Sequence, residues 1–149
     1  MRIPDYLADQ QVPHEAFLLP PAFSATQRAK ILHVSGHLIA KCVLLSTSRG
    51  PLLAVLPATR QIDFTLLGRQ LEDTVRLAQD EEMAHIFPDC EWGIALPFGV
   101  VYGLPTILDD SIQPDDMIVF EGNTHVEAIR LRCSDFERLE HPRRLGFAV

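Results

Sequence analysis

The chain has 149 residues and a formal net charge of −7, with 47% hydrophobic and 22% charged residues. This is the size and composition of one ordinary globular domain, and it excludes disordered, collagen-like and coiled-coil proteins. The acidic balance argues against a general basic coat for nucleic acid, although a small local patch can still touch one end of an RNA.

The spacing of the cysteines and the first residues of the chain predict the cellular compartment. Cys42, Cys90 and Cys133 are widely spaced, and the sequence has no Cys-x-x-Cys pair. This excludes a zinc knuckle or thioredoxin motif and is typical of a reducing compartment. No stretch reaches the ~18 apolar residues of a membrane span, and the first residues lack the apolar core of a signal peptide. We expect a cytoplasmic protein with no membrane and no DNA partner.

Apolar runs bounded by turn residues predict the strands, and capping residues predict the helices. In chain order we expect a helix over 3–10, an extended segment over 12–19, a helix over 24–32, paired strands over 38–45 and 51–56, a helix over 63–71, an extended piece over 75–78, a helix over 80–87, an irregular segment to 103, strands over 104–108, 117–120 and 126–133, and a last helix from 134. Hairpin-like strands with helices between them irregularly favour one α+β domain over 1–149, with a mixed sheet.

Residues at the ends of these elements predict helix caps and a loop. Two Ser-x-x-Gln/Glu patterns, at Ser24 and Ser134, are typical of capping boxes, and Asp63 is expected to cap the helix that follows it. The acidic residues within 109–116 are expected to form a solvated loop between two strands.

Lys41 is the only charge in the apolar run over 38–45, which is typical of a strand covered on both faces. Leaving an ammonium desolvated and unpaired costs several kcal/mol. Either its stem packs on the sheet while its head reaches an edge, or the ammonium lines a pocket for a phosphate, hydroxyl or carbonyl oxygen. Both readings are open from this strand alone.

Two other segments are candidates for a site. The segment from Gly93 to Gly99 is apolar but rich in backbone breakers, so its N–H groups can face an anion or a developing oxyanion, unless it only packs Trp92 and Phe98 into the core. The segment from Gly122 to His125 sits between two strands, where Gly and Asn suit a tight turn in the left-handed region. His125 is either a structural histidine or one that projects into a cleft.

Several other chemistries are disfavoured. His33 and His37 lack a third ligand for zinc, and the sequence has no serine-hydrolase elbow, Walker loop or dinucleotide-binding glycine pattern. Cys90 has no evident neighbour that would activate it as a nucleophile. We expect no metal and no cofactor.

The chain resembles the YbaK/prolyl-tRNA-synthetase-associated domain family of stand-alone aminoacyl-tRNA editing proteins over roughly residues 23–139. The residues that carry the resemblance are His33-Val-Ser-Gly36, Ala40-Lys41, Leu53-Ala-Val-Leu-Pro57, Phe87-Pro-Asp-Cys-Glu91, Gly93-x-x-x-Pro97-Phe98-Gly99, Tyr102-Gly-Leu-Pro105 and Thr124-His125. The resemblance implies a compact α+β fold with a mixed, barrel-like sheet flanked by helices.

The implied activity is trans-editing: hydrolysis of the ester that joins a wrong amino acid to the terminal adenosine of a tRNA, with tRNA-Pro substrates expected and without a metal. Its implied partners are the 3′ acceptor end of a mischarged tRNA and prolyl-tRNA synthetase. Lys41 is implied to anchor the tRNA end, Gly93, Pro97 and Gly99 to line the aminoacyl pocket, and His125 to place the substrate. Further substrate contacts are expected from Phe23, Phe98, Gly122, Asn123 and Thr124.

The sequence departs from the family at Leu96, where a proline is common, at Trp92, where a smaller residue is frequent, and at Asn123, where glycine is frequent. These departures bear on which amino acid is removed. The alternative functions are a non-catalytic module that binds aminoacyl-tRNA or a synthetase, and a hydrolase of a small ester or amide unrelated to tRNA.

Overall fold

The computed structural model describes residues 1–20, 30 and 32–149. Phe23, the capping box at Ser24 and most of the helix predicted over 24–32 therefore lie outside the described residues.

The described elements follow the predicted order closely. The helices are α1 (Ile3–Asp9), α2 (Phe64–Leu71), α3 (Asp80–Ile86), α4 (Gly99–Tyr102) and α5 (Cys133–Glu140), with a 3-10 turn at Gly36–Leu38. The strands are β1 (Glu15–Leu18), β2 (Ala40–Thr47), β3 (Gly50–Pro57), β4 (Arg76–Leu77), β5 (Thr106–Asp109), β6 (Met117–Glu121), β7 (Glu127–Arg132) and β8 (Arg143–Leu145). In this part of the chain, no helix combines the length and the apolar character needed to cross a membrane.

The strands form a mixed arrangement, which confirms the predicted α+β class. Strands β1, β7 and β6 make an antiparallel three-stranded sheet, and a five-stranded sheet has the order β4-β2-β3-β5-β8. Strands β2 and β3 form the predicted antiparallel hairpin, whereas β5 runs parallel to both β3 and β8. A parallel bridge from Ile39 to Val119 joins the two sheets. The described strands thus form two linked sheets and not a closed barrel.

The largest hydrophobic cluster surrounds Phe98. Its ring makes edge-to-face contacts with Tyr6 of α1, Phe120 of β6 and Phe136 of α5, at centroid distances of 5.6, 5.4 and 6.2 Å. Each such pair adds about 0.5–1.5 kcal/mol to the gain from burial. Because Phe98 directly precedes α4, this cluster fixes the end of the Gly93–Gly99 segment against the sheets.

A second cluster lies on the other face of the five-stranded sheet, against α2. Leu56 of β3 and Leu67 of α2 belong to it and are fully buried. As predicted, Asp63 caps α2, since its Oδ1 accepts a hydrogen bond from the Leu66 N–H at 3.0 Å.

The predicted acidic loop is only partly solvated, because Asp109 is buried. Its Oδ1 accepts hydrogen bonds from the N–H groups of Phe147 and Ala148 at 3.0 and 2.9 Å, and its Oδ2 accepts from the N–H and hydroxyl of Ser111. Desolvation opposes ionisation, but these hydrogen bonds outweigh it and lower the pKa of Asp109. A carboxylate with this many donors is stable in the interior.

One other local prediction was wrong. Helix α5 begins at Cys133 with Arg132 at the N-cap position and no capping side chain, so Ser134 is not the cap. Strand β2 lies between the two clusters, which contain Leu44 and Leu45 on its opposite faces, but Lys41, Cys42 and Val43 are each only partly buried.

Candidate active site

A cavity of about 90 Å³ lies where β2 begins and β3 and β6 end. Lys41, Gly93 and Pro97, three of the residues predicted for the site, line it together. A water molecule needs roughly 10–15 Å³ of such volume, so the cavity has room for several waters or a small chemical group. Three segments far apart in the chain therefore meet at one hollow.

Lys41 is half-buried at the start of β2. It pairs with Leu56, so alternation along the strand places it on the sheet face toward α2, while Ala40 and Cys42 face the cluster around Phe98. Lys41 lines the cavity together with Ala40 and Cys42, its neighbours on the strand. Desolvation lowers the pKa of Lys41 because it disfavours the charged form. Among the described residues, no carboxylate forms an ion pair with its ammonium.

Gly93 and Gly99 are required for different reasons. Gly93 has φ +87°, and a Cβ there would meet no atom of the described residues within 4 Å, so the backbone conformation demands glycine while space does not. Gly99 begins α4 and is not among the described residues that line the cavity. A Cβ on Gly99 would lie 2.4 Å from the Leu104 carbonyl oxygen and 2.5 Å from Thr106 Oγ1. Gly93 therefore shapes the cavity wall, and Gly99 allows the close packing that anchors the segment.

Four of the residues predicted to contact the substrate are not among the described residues that line the cavity: Phe98, Gly122, Asn123 and Thr124. Phe98 is fully buried and supports Phe120, which does line it. Neither Gly122 nor Asn123 has a positive φ, so the predicted left-handed turn was wrong. A Cβ on Gly122 would lie 2.9 Å from the Cβ of Glu127, so close packing is what this glycine allows.

The side chain of Asn123 holds the N-terminal segment in place. Its Oδ1 accepts from the Ile3 N–H at 3.0 Å, and its Nδ2 donates to the carbonyl oxygens of Met1 at 2.6 Å and Asp89 at 3.3 Å. The Thr124 N–H donates to Glu127 Oε2 at 2.9 Å. The amide of Asn123 is thus engaged within the protein.

His125 connects the Gly93 loop to the rim of the cavity. Its Nδ1 lies 2.9 Å from Glu121 Oε2, and its Nε2 lies 2.9 Å from the carbonyl oxygen of Trp92. Desolvation would lower the pKa of His125, but the hydrogen bonds to Trp92 and Glu121 and the charges of Glu121 and Glu91 raise it above its usual value. Both ring nitrogens face acceptors, so the imidazolium form suits this position, and in that form the ring does not accept a proton.

Cavity residues without a predicted role include Glu121, Cys42 and Phe120. Glu121 directly follows the apolar run over 117–120, and a charge at that position is the sequence feature that could have identified it as a site residue. Burial raises the pKa of the Cys42 thiol, and burial together with Asp89 raises the pKa of Cys90 to about 12. Both thiols therefore stay protonated at neutral pH and are poor nucleophiles.

Comparisons with known proteins place this chain in a known family. Residues 19–139 match the model of the aminoacyl-tRNA editing domain. A search of curated protein sequences finds no match. Among solved structures, the fold resembles that of hypothetical protein APE2540, with a TM-score of 0.88, 13% identity and 99% of each chain covered. It also resembles a protein provisionally described as a trans-editing enzyme for prolyl tRNA synthetase, with a TM-score of 0.77, 17% identity, and 91% of this chain and 87% of that chain covered.

At these identities the structural likeness shows the fold alone, whereas the family model covers most of the chain. The resemblance seen in the sequence is confirmed, and the chain belongs to the aminoacyl-tRNA editing domain family.

Proposed function

We propose that the protein is a trans-editing deacylase that hydrolyses the ester between a wrong amino acid and the terminal adenosine of a tRNA. The observation that carries the proposal is the cavity that Lys41, Glu121 and the Gly93 loop line together, in a member of an editing family. A cation and a carboxylate at one small cavity complement a substrate end that carries both a phosphate backbone and a free α-ammonium group.

Lys41 and Glu121 bind different parts of the substrate in this proposal. Lys41 binds an oxygen of the terminal nucleotide, which is anionic or polar. Glu121 accepts a hydrogen bond from the α-ammonium group of the aminoacyl ester, and its bond to His125 keeps the carboxylate in place. Hydrogen bonds between charged partners are stronger than neutral ones, so the pair orients the ester between them.

The reaction needs a positioned water and stabilised oxyanion charge. Water attacks the ester carbonyl carbon, the tetrahedral intermediate collapses, and the ribose oxygen leaves with a proton, giving free amino acid and tRNA. Backbone N–H groups of the Gly93–Gly99 segment are the oxyanion donors in this proposal, and one such donor is worth about 3–4 kcal/mol. The reaction requires neither a thiol nucleophile nor a histidine base. This agrees with the raised pKa of Cys42 and with the hydrogen bonds that engage both ring nitrogens of His125.

Cavity size sets the choice of amino acid. We propose that the cavity, with a volume of about 90 Å³, admits a small aminoacyl side chain and excludes a bulky one, as in the second sieve of double-sieve editing. We propose small residues mischarged onto tRNA-Pro as the substrates, metal-independent hydrolysis, and prolyl-tRNA synthetase as the candidate partner. The glycine at position 93 leaves that side of the wall free of side-chain atoms, because no atom in the described part of the chain lies within 4 Å of where its Cβ would be.

The test is a panel of tRNAs charged with labelled alanine, cysteine, serine, threonine or proline, scored for release of free amino acid. The wild type should hydrolyse the esters of small residues. It should act much more slowly on the same esters after N-acetylation, which removes the α-ammonium charge, and Glu121→Gln should lose most of this discrimination. A wild type that binds the charged tRNA and protects the ester is instead a binding module, and that result refutes the proposal.

A further inference from the structure

The side chain of Trp92 is the exposed aromatic next to the cavity, and it is the only tryptophan in the chain. Its residue is 58% exposed. Gly93, which lines the cavity, follows it directly, and consecutive Cα atoms are about 3.8 Å apart. The indole is therefore attached at the rim of the cavity and contributes little to the core.

Hydrogen bonds hold the backbone on each side of Trp92. The Glu91 N–H donates to the Asn123 carbonyl oxygen at 2.9 Å, and the Ile94 N–H donates to the Glu91 carbonyl oxygen at 3.2 Å. The Trp92 carbonyl oxygen is bound by His125 at 2.9 Å. Because the backbone is held, only the side-chain torsions of the indole remain to be ordered when it binds a flat partner.

The charges on this side of the rim indicate which part of a nucleic acid fits there. Glu91 lies 3.9 Å from the His125 ring, and Glu121 lies against the same ring. Two carboxylates around one imidazolium leave an excess of negative charge among these three groups, which disfavours a phosphate. A nucleobase is uncharged and has a flat face that stacks on indole. A phosphate is better accepted on the Lys41 side of the cavity.

We propose that Trp92 is a stacking platform for the adenine of the terminal nucleotide, and that it positions the ester over the cavity. This inference rests on the proposed function, because it assumes that an acylated tRNA end is the substrate. Stacking of a base on an aromatic side chain is strong enough that its loss should weaken binding roughly 5- to 150-fold.

The experiment uses an uncharged RNA microhelix that ends in CCA and a matched microhelix whose terminal nucleotide lacks its base. Because the chain has one tryptophan, its fluorescence reports directly on Trp92. The intact microhelix should quench it, and the abasic one should bind more weakly and quench little. Anisotropy of labelled RNA then compares Trp92→Ala, Trp92→Phe and the control Leu77→Ala, which removes another exposed apolar side chain, 57% exposed on β4.

We expect Trp92→Ala to bind the intact microhelix 5- to 150-fold more weakly, with Trp92→Phe and Leu77→Ala within about threefold of wild type. In deacylation, Trp92→Ala should raise KM far more than it lowers kcat. Equal quenching by both microhelices, no binding by the wild type, or unchanged affinity of Trp92→Ala overturns the inference. So does a Trp92→Ala variant that loses only its binding to prolyl-tRNA synthetase. If the wild type releases amino acid but Trp92→Ala has a normal KM, stacking fails while the proposed function stands; if the wild type releases none, the proposed function fails.

Discussion

Replacing Lys41 with methionine should separate catalysis from stability. Methionine keeps much of the length of the lysine stem and removes the charge. Because desolvation lowers the pKa of Lys41 and no described carboxylate pairs with it, the charge adds little to the fold. We expect the free energy of unfolding to change by no more than about 0.5 kcal/mol.

The expected loss of activity follows from the bond that Lys41 makes in the proposal. A hydrogen bond to a charged group contributes about 1.5–3 kcal/mol. Since each 1.36 kcal/mol is about tenfold in rate, kcat/KM for deacylation should fall roughly 10- to 160-fold. The loss exceeds the change in stability because the partner of Lys41 belongs to the substrate.

The assay measures release of labelled amino acid from mischarged tRNA, with urea unfolding in parallel. Arg69→Met is the matched control, because it removes one positive charge from an exposed position on α2 away from the cavity. The control should keep wild-type activity. Full activity of Lys41→Met refutes the assigned role, and a loss of more than about 2 kcal/mol of stability shows that the charge is structural.

Two further predictions concern the glycines of the Gly93–Gly99 segment and His125, whose ring binds the Trp92 carbonyl oxygen. Gly93→Ala should destabilise the fold by only about 1–2 kcal/mol, while deacylation falls. Gly99→Ala places a Cβ 2.4 Å from a carbonyl oxygen and should destabilise the fold by roughly 3 kcal/mol, as severe overpacking does. Equal urea midpoints for the two variants contradict this. His125 has a raised pKa in the folded state, so its stabilising protonation is complete below the unfolded pKa of about 6.5 and is lost as the pH rises through the folded pKa. The stability gap between wild type and His125→Gln should therefore be larger near about pH 5.5 than near about pH 8.5 in urea unfolding, and a gap that grows with pH is the contrary result.

The elements that the sequence predicts well are those with local signals. The hairpin of β2 and β3 follows from two apolar runs around Gly50, and the cap of α2 follows from Asp63. Strand β8 carries Arg143 and Arg144 and has no apolar run, so its parallel pairing with β5 at the sheet edge could not be predicted. The burial of Asp109 was also missed, because the N–H donors of Phe147 and Ala148 that stabilise it lie 38 and 39 residues further along the chain.

The site was predictable in part. Lys41 and the Gly93 loop are visible as departures from the pattern of their own segments, a charge in an apolar strand and breakers in an apolar run. The partners of His125 were not visible, because they are a carbonyl oxygen 33 residues away and a carboxylate of the preceding strand. Sequence indicates which residues are unusual, while the partners that decide their protonation come from tertiary structure.

The charge around the cavity also explains how an acidic chain can act on RNA. A net charge of −7 repels the phosphates of most of a tRNA, so the protein gains little from a long contact with the acceptor stem. The recognition must then come from the tip, where the proposal has Lys41 meet an oxygen of the terminal nucleotide, Glu121 the α-ammonium group, and Trp92 the uncharged base. In the proposed function, these three groups bind features that occur together only on an acylated 3′ end. In this proposal, removal of the amino acid takes away the ammonium contact, so the deacylated tRNA is held only through Lys41 and Trp92 and binds more weakly than the acylated tRNA.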